Sequence, residues 1–252
     1  MKILFVCPYL PHPKSGHATG VFLYGVLARI APHHDITLLS FCDFHELSLA
    51  KDLNNLPLEL IVVPRGRGAK QTLWWNFYLL AMRLFQHIRT ILYWQPYEVS
   101  TFWHPRMASH VKRLTGQGKY DIVQFEMKQM GQYAGKVRSG KTVLHEHDVA
   151  FRPAYRRYAA APASLLKMVR LIGWCRWSQY EKRIVNKFNH ILCVSRQDAM
   201  LLEHFSGYNR ISYLSRGVDL PPDDPTLQAK ANQNILFVGT FSHQPNVDAA
   251  LW

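Results

Sequence analysis

The sequence predicts an α/β protein built on a doubly wound parallel sheet, and three observations carry that prediction. Seven short runs, at residues 3–7, 35–41, 58–63, 121–125, 141–144, 190–194 and 211–214, are mostly Ile, Leu, Val and Phe without an alternating polar register. Strands covered on both faces have that character. Segments of helical period separate them, at 20–30, 72–93, 105–114, 160–186 and 197–205. The composition, 48% hydrophobic and 13% aromatic over 252 residues, suffices for a large core. Strand, helix, strand in succession gives a parallel sheet with helices on both faces.

The first run, Ile3 to Cys7, is too short for a signal peptide and reads as a buried strand. It opens into a loop that holds Gly16 and Gly20 and leads to a helix. A loop between a strand's C-terminal end and a helix N-terminus lets backbone N–H groups approach an anion. Gly16 therefore reads either as a phosphate or sugar contact or as a glycine needed for backbone angles. Neither the dinucleotide fingerprint nor the Lys-Ser/Thr ending of a P-loop is present.

Residues 60–97 contain Arg65, Arg67, Lys70, Arg83 and Arg89, no acidic residue, and many large apolar side chains, Trp74 and Trp75 among them. A helix of this make-up fits the membrane interface, with Trp74 and Trp75 at head-group depth and Arg65, Arg67, Lys70 and Arg83 toward anionic lipid. Burial under a second layer is the competing reading. No uncharged apolar stretch reaches spanning length. The net charge of +13 favours anionic partners. A second basic and aromatic stretch, 152–187, has a composition that also suits RNA, but no nucleic-acid-binding motif accompanies it, so no nucleic-acid partner is expected.

Two polar sites fall at predicted strand ends, where open α/β sheets hold ligands. Glu126 ends the fourth strand, and His145-Glu146-His147-Asp148 ends the fifth. In extended backbone His145 and His147 share one face and Glu146 and Asp148 the other. Two histidines on one face suit a metal, an acid/base role or hydrogen bonding, and a metal-dependent hydrolase using His145 and His147 is one candidate. No third ligand stands at a diagnostic spacing, and no Asp-x-Asp is present, so no metal is expected. Cys7, Cys42, Cys175 and Cys193 are widely spaced and read as reduced thiols.

A turn-rich stretch from Arg216 to Asn234 reads as a linker, closing a first domain at 1–215. Residues 235–239 then read as a fresh buried strand and 245–252 as a helix start. The chain is expected to stop just inside this second domain, 235–252.

These features resemble the retaining GT-B glycosyltransferases of family 4. Lys2 to Pro8 with Gly16 downstream is similar to that family's first strand and glycine loop. Tyr120-Asp121-Ile122-Val123, His147-Asp148, and Tyr180-Glu181-Lys182 followed by His190-Ile191-Leu192-Cys193-Val194-Ser195 resemble its later segments. Arg216-Gly217-Val218-Asp219 stands where the family usually has Asn-Gly-Val-Asp. Ile235 to Gly239 with Pro245-Asn246-Val247-Asp248-Ala249 resembles the donor-domain opening of a bacterial polysaccharide-assembly subgroup.

The resemblance implies a Rossmann-like N-terminal domain holding the acceptor and a second Rossmann-like domain, truncated here, holding a UDP- or GDP-sugar. It implies transfer with retention to a lipid-linked or polysaccharide acceptor, no cofactor or metal, and a cytoplasmic location at the membrane face. Gly16 and Gly239 would approach the donor phosphates, His147 the transferred sugar, and Glu126 and Asp148 the acceptor side. His17 and Arg216 depart from the family pattern, and basic residues that commonly grip the diphosphate are not seen in 240–245. The chain is therefore expected to bind without transferring sugar by itself, and a non-catalytic fragment binding anionic membrane or glycolipid is the third candidate.

Overall fold

The apolar runs do become one sheet. In the computed structural model, which describes residues 1–16, 18–65, 73–217, 236–239, 241 and 244–251, seven strands pair in the order β3-β2-β1-β4-β5-β6-β7. They are β1 (Lys2–Cys7), β2 (Asp35–Asp43), β3 (Glu59–Arg65), β4 (Ile122–Glu126), β5 (Lys141–Glu146), β6 (His190–Cys193) and β7 (Ile211–Tyr213). Every pairing is parallel.

Alternation along β1 splits the core in two. Leu4 and Val6 enter one cluster with Leu39, Phe41, Val123 and Phe125, while Ile3, Phe5 and Cys7 enter another with Ile36, Leu38 and Cys42. Helix α1 (Ala18–Ile30) and α2 (Leu47–Asp52) cover the second cluster, with Leu23 and Leu27 one turn apart on the buried stripe. The first cluster lies under α4 (Tyr97–Thr101), α5 (Pro105–Thr115), α6 (Phe151–Ala159), α7 (Leu165–Val185) and α8 (Arg196–Ser206). Helices on both faces of an all-parallel sheet make the fold doubly wound and Rossmann-like.

Helix α3 (Leu73–Leu92) behaves differently. It has no Gly or Pro within it, yet Leu80, Leu84 and Ile91 are 64%, 61% and 67% exposed. Burial under a second layer is thus not seen for Leu80, Leu84 and Ile91, although Thr90 is buried. The inward side of α3 mixes apolar and polar groups, with Phe85 4.9 Å from the Trp103 ring and Thr90 donating to Ser100 at 2.8 Å. None of the described helices is long and apolar enough to cross a membrane.

Two further expectations change. The helix predicted over 160–186 begins only at Leu165, as α7, after a break that holds Pro162, and α6 precedes it as a helix the sequence reading did not predict. Pro153 sits in the first turn of α6, where its missing N–H costs no intrahelical bond. The strand predicted at 235–239 is not formed where the chain is described: 236–239 is irregular, with Leu236 86% exposed. An apolar run becomes a strand only when neighbours complete its ladder, and among the described residues none pairs with it. Residues 218–234 of the expected linker lie outside the described residues. The chain forms two compact units, Met1–Arg216 and Gly217–Trp252, the second carrying α9 (Gln244–Leu251).

Candidate functional site

The strand order reverses between β1 and β4, which are paired neighbours leading in opposite directions across the sheet. A crevice at such a switch point, beyond the strands' C-terminal ends, is where doubly wound sheets bind ligands. Glu126 is the last residue of β4, opposite His145 on β5. Its side chain is fully buried.

Three groups converge on that carboxylate. His145 donates from Nδ1 to Glu126 Oε2 at 2.9 Å, and His147 donates from Nε2 to the same oxygen at 3.0 Å. Gln124 Nε2 donates to Oε1 at 2.6 Å. Burial alone would raise the Glu126 pKa, but the hydrogen bonds and positive potential from the two histidines push it down to about 2. Glu126 is therefore ionised and accepts only, so both facing nitrogens carry protons.

The far side of His147 fixes its state. Its Nδ1 lies 2.7 Å from an Arg216 guanidinium nitrogen, which can only donate. Nδ1 must offer a lone pair, so His147 is the neutral tautomer protonated on Nε2. Its pKa is lowered, first by burial, with His145 and Arg216 adding to the effect and Glu126 opposing it. Arg216 also lies over the Phe22 ring, 5.2 Å from its centroid. Thr19, in the first turn of α1, brings Oγ1 to 3.5 Å from His147 Nδ1, so the helix N-terminus borders the site.

A second charged cluster lies on the opposite face of the same strand ends. Lys128, 1% exposed, pairs with Glu146 Oε1 at 2.8 Å and Asp148 Oδ1 at 2.7 Å, and donates to the Asp148 carbonyl. Glu181 from α7 accepts from the backbone N–H of Ala150 and Phe151 at 2.7 and 2.8 Å, pinning the start of α6 behind the His147 loop. Met127, between Glu126 and Lys128, is left-handed with φ 66°, and that turn sends the two side chains to opposite clusters.

These groups make stability depend on pH in opposing directions. Glu126 and His147 are both held below their ordinary values, so their contributions are complete at neutral pH. His147's is lost as pH falls below its ordinary 6.5, and Glu126's between 4.5 and about 2. Burial raises Glu146 and Glu181 despite the neighbouring Lys128, so their contribution falls as pH climbs above the ordinary 4.5. Between 4.5 and 6.5 the two carboxyls outweigh the one imidazole, so thermal melts should peak near pH 4.5 to 5, and Glu146→Gln should move the peak upward. A wild-type melting temperature still rising from pH 6.5 to 8 would contradict this.

The sequence-derived candidates fall into three groups. Glu126, His145 and His147 come together, and Asp148 belongs to the Lys128 cluster. Gly16 is exposed in the loop before α1, its φ is not left-handed, and a Cβ there would meet nothing within 4 Å. Neither its backbone angles nor its surroundings therefore require glycine at position 16. Gly20 is the sterically fixed glycine, since a Cβ there would collide with the Ser15 side chain and reach the Leu10 carbonyl at 2.8 Å. Gly239 lies in irregular backbone of the second unit.

The residues expected at a membrane surface separate similarly. Arg83 is exposed on α3. Arg65 instead ends β3 and lies over the Phe102 ring at 4.1 Å, because its guanidinium stacks on aromatic faces there. Arg67 and Lys70 lie outside the described residues, as do the side chains of Trp74 and Trp75. Lys128, Thr19 and Phe22 were missed by sequence reasoning. Lys128 could have been suspected as a lone basic residue two positions past a strand-ending carboxylate.

Glu126, His145 and His147 also place one carboxylate oxygen and two imidazole nitrogens within 4.8 Å of one another, a possible ligand set for a cation. The third ligand absent from the local sequence spacing is thus supplied from the neighbouring strand. The present separations are those of hydrogen bonds, against about 2.0–2.2 Å for zinc to His or carboxylate.

The glycosyltransferase family 4 model matches residues 33–221. No curated protein sequence matches the chain. Among solved structures it is similar to Arabidopsis thaliana UGT89C1 complexed with UDP, at 13% identity and TM-score 0.44, over 90% of this chain and 54% of that one. The UDP-L-rhamnose complex of the same protein gives 12% and 0.45, over 91% and 55%. The N-terminal domain of Candida albicans trehalose-6-phosphate phosphatase gives 14% and 0.49, over 86% and 49%. The chain spans about half the length of each.

Proposed function

Because the chain belongs to glycosyltransferase family 4, we propose that it forms the acceptor-side half of an enzyme moving a sugar from a UDP- or GDP-sugar to a lipid-linked or polysaccharide acceptor. The observation that carries this reading is the Glu126–His147–Arg216 chain beside the N-terminus of α1. Glu126 locks the His147 ring, leaving a neutral imidazole at the crevice to contact the transferred sugar. Arg216 has five donors and engages His147 with one nitrogen, and a helix N-terminus favours negative charge. Together they suit a departing nucleotide diphosphate, and the open Gly16 loop gives it room.

In this reading Arg216 and α1 supply the positive potential, transfer proceeds with retention and without a metal, and the donor's own phosphate assists deprotonation of the acceptor. Asp148 serves the acceptor side directly and the buried Glu126 only through the His147 ring, and Gly239 belongs to a donor-binding domain that includes 235–252. The exposed apolar face of α3, with Arg83 beside it, supports peripheral association with the cytoplasmic face of a membrane, in bacterial polysaccharide assembly.

Incorporation of labelled sugar from UDP- and GDP-sugars into membrane extract, by the chain joined to a complete family donor domain, is the test. A second reading, a metal-dependent hydrolase, is favoured by the Glu126, His145 and His147 ligand set. Stoichiometric metal in the purified chain, lost in His145→Ala, together with no sugar transfer from any donor, would decide for it.

A further inference from the structure

On the far side of the crevice, the ends of β2 and β3 meet α3 and the start of α5 around a cavity of about 810 Å³. Phe41, Leu79, Met82 and Trp103 give it large apolar walls. Arg65, Arg83 and Arg106 also line it, and no Asp or Glu does so among the described residues. Asp43 offsets part of the Arg65 charge from outside the lining, but no carboxylate among the described residues lines the cavity itself, so the mutual repulsion of the three cations there favours an entering anion.

Arg65 makes the strongest case. Its guanidinium stacks on Phe102 at 4.1 Å and lies 5.6 Å from the Phe41 centroid, yet its Nη1 is buried without a hydrogen-bond partner. A buried donor left unpaired is costly, and an acceptor oxygen in the cavity would relieve it. Guanidinium groups match phosphate oxygens in paired geometry. Helix α3 contributes Leu79, Met82 and Arg83 to the cavity while its outward Leu80 and Leu84 are exposed, so apolar surface runs on from the cavity wall.

We propose that this cavity binds a phosphorylated amphiphile, its hydrocarbon against Phe41, Leu79, Met82 and Trp103 and its phosphate held by Arg65, Arg83 and Arg106. The proposal rests on reading the chain as the acceptor side of a glycosyltransferase, and names the acceptor class as a lipid phosphate. A cavity of this volume is within the usual range of about 300–1,000 Å³ for ligand sites. The apolar wall supplies most of the affinity and the arginines select the head group.

Calorimetry on the 252-residue chain with dodecyl phosphate below its micellar concentration, inorganic phosphate and dodecanol tests it. Dodecyl phosphate should bind at least about tenfold more tightly than either half-ligand, and Arg83→Gln with Arg106→Gln should weaken it by at least about tenfold. Both arginines are exposed, so the double variant should fold normally. Leu80→Gln with Leu84→Gln, on the outer face of α3, should leave binding unchanged. Equal binding of dodecanol or inorganic phosphate, or loss in the outer-face variant instead of the arginine variant, overturns the proposal. No nucleotide sugar enters the assay, so failure here leaves sugar transfer untouched, and failure of transfer leaves this binding result standing.

Discussion

Replacing Lys128 by alanine should cost about 3–5 kcal/mol of folding stability, the penalty typical of breaking a buried ion pair from one side. Lys128 has a relative exposure of 1% and sits between Glu146 and Asp148, with Glu181 close behind. Burial alone would lower its pKa, but the surrounding carboxylates outweigh that and raise it, so the ammonium is charged throughout the working pH range. Without it, Glu146 and Glu181 face each other in a site closed to water, and they must take up protons. Urea denaturation at pH 7 should show the loss, and the deficit should shrink near pH 5, where those carboxyls protonate more readily. Lys128→Met with Glu146→Gln should recover part of it, because both charges leave together. A loss below about 1 kcal/mol at neutral pH would mean that the cluster is solvated in a way its burial does not indicate.

The second large effect concerns turnover. In the enzyme proposed above, His147→Ala should lower sugar transfer by about 10²–10³-fold, the usual cost of deleting one preorganised polar contact at a reacting centre. The fold should survive, because Glu126 keeps His145 and Gln124 as donors. His147→Gln should recover some activity if the ring acts through hydrogen bonding, and none if it moves a proton. Steady-state kinetics with a matched melting temperature check this. Transfer within threefold of wild type in His147→Ala would place the chemistry elsewhere in the crevice.

How much of this could be read from residues alone varies with the range of the interaction. The seven strands were legible because a strand buried on both faces announces itself by uninterrupted apolar residues, and 3–7 became β1, paired along its whole length with β2 and from Ile3 to Val6 with β4. The same signal failed at 236–239, where an equally apolar run stands without a ladder among the described residues. Helix α6 was hidden by Pro153, which is a breaker in the middle of a helix but harmless in its first turn.

Within the site, period-two alternation was enough to put His145 and His147 on one face. It could not show that both would bond Glu126, because that pairing depends on β4 and β5 being neighbours in exact register. Lys128 was invisible for the same reason. Its partners lie 18, 20 and 53 positions along the chain, brought together only by the sheet and by α7. Arg65 looked like surface charge because its neighbours Arg67 and Lys70 are basic, while its location is set by the aromatic faces of Phe41 and Phe102.

The left-handed Met127 has a consequence for how the molecule opens. Strand ends ordinarily fray first, and their amides exchange hydrogen with solvent through small local fluctuations. Here the Met127 N–H is bonded to the His145 carbonyl at 2.9 Å, and the residues on either side of it are each anchored in a separate buried charge cluster. Releasing that amide would uncover both clusters at once. It should exchange only by unfolding of the whole unit, while the amides of the edge strand β7 should exchange far sooner.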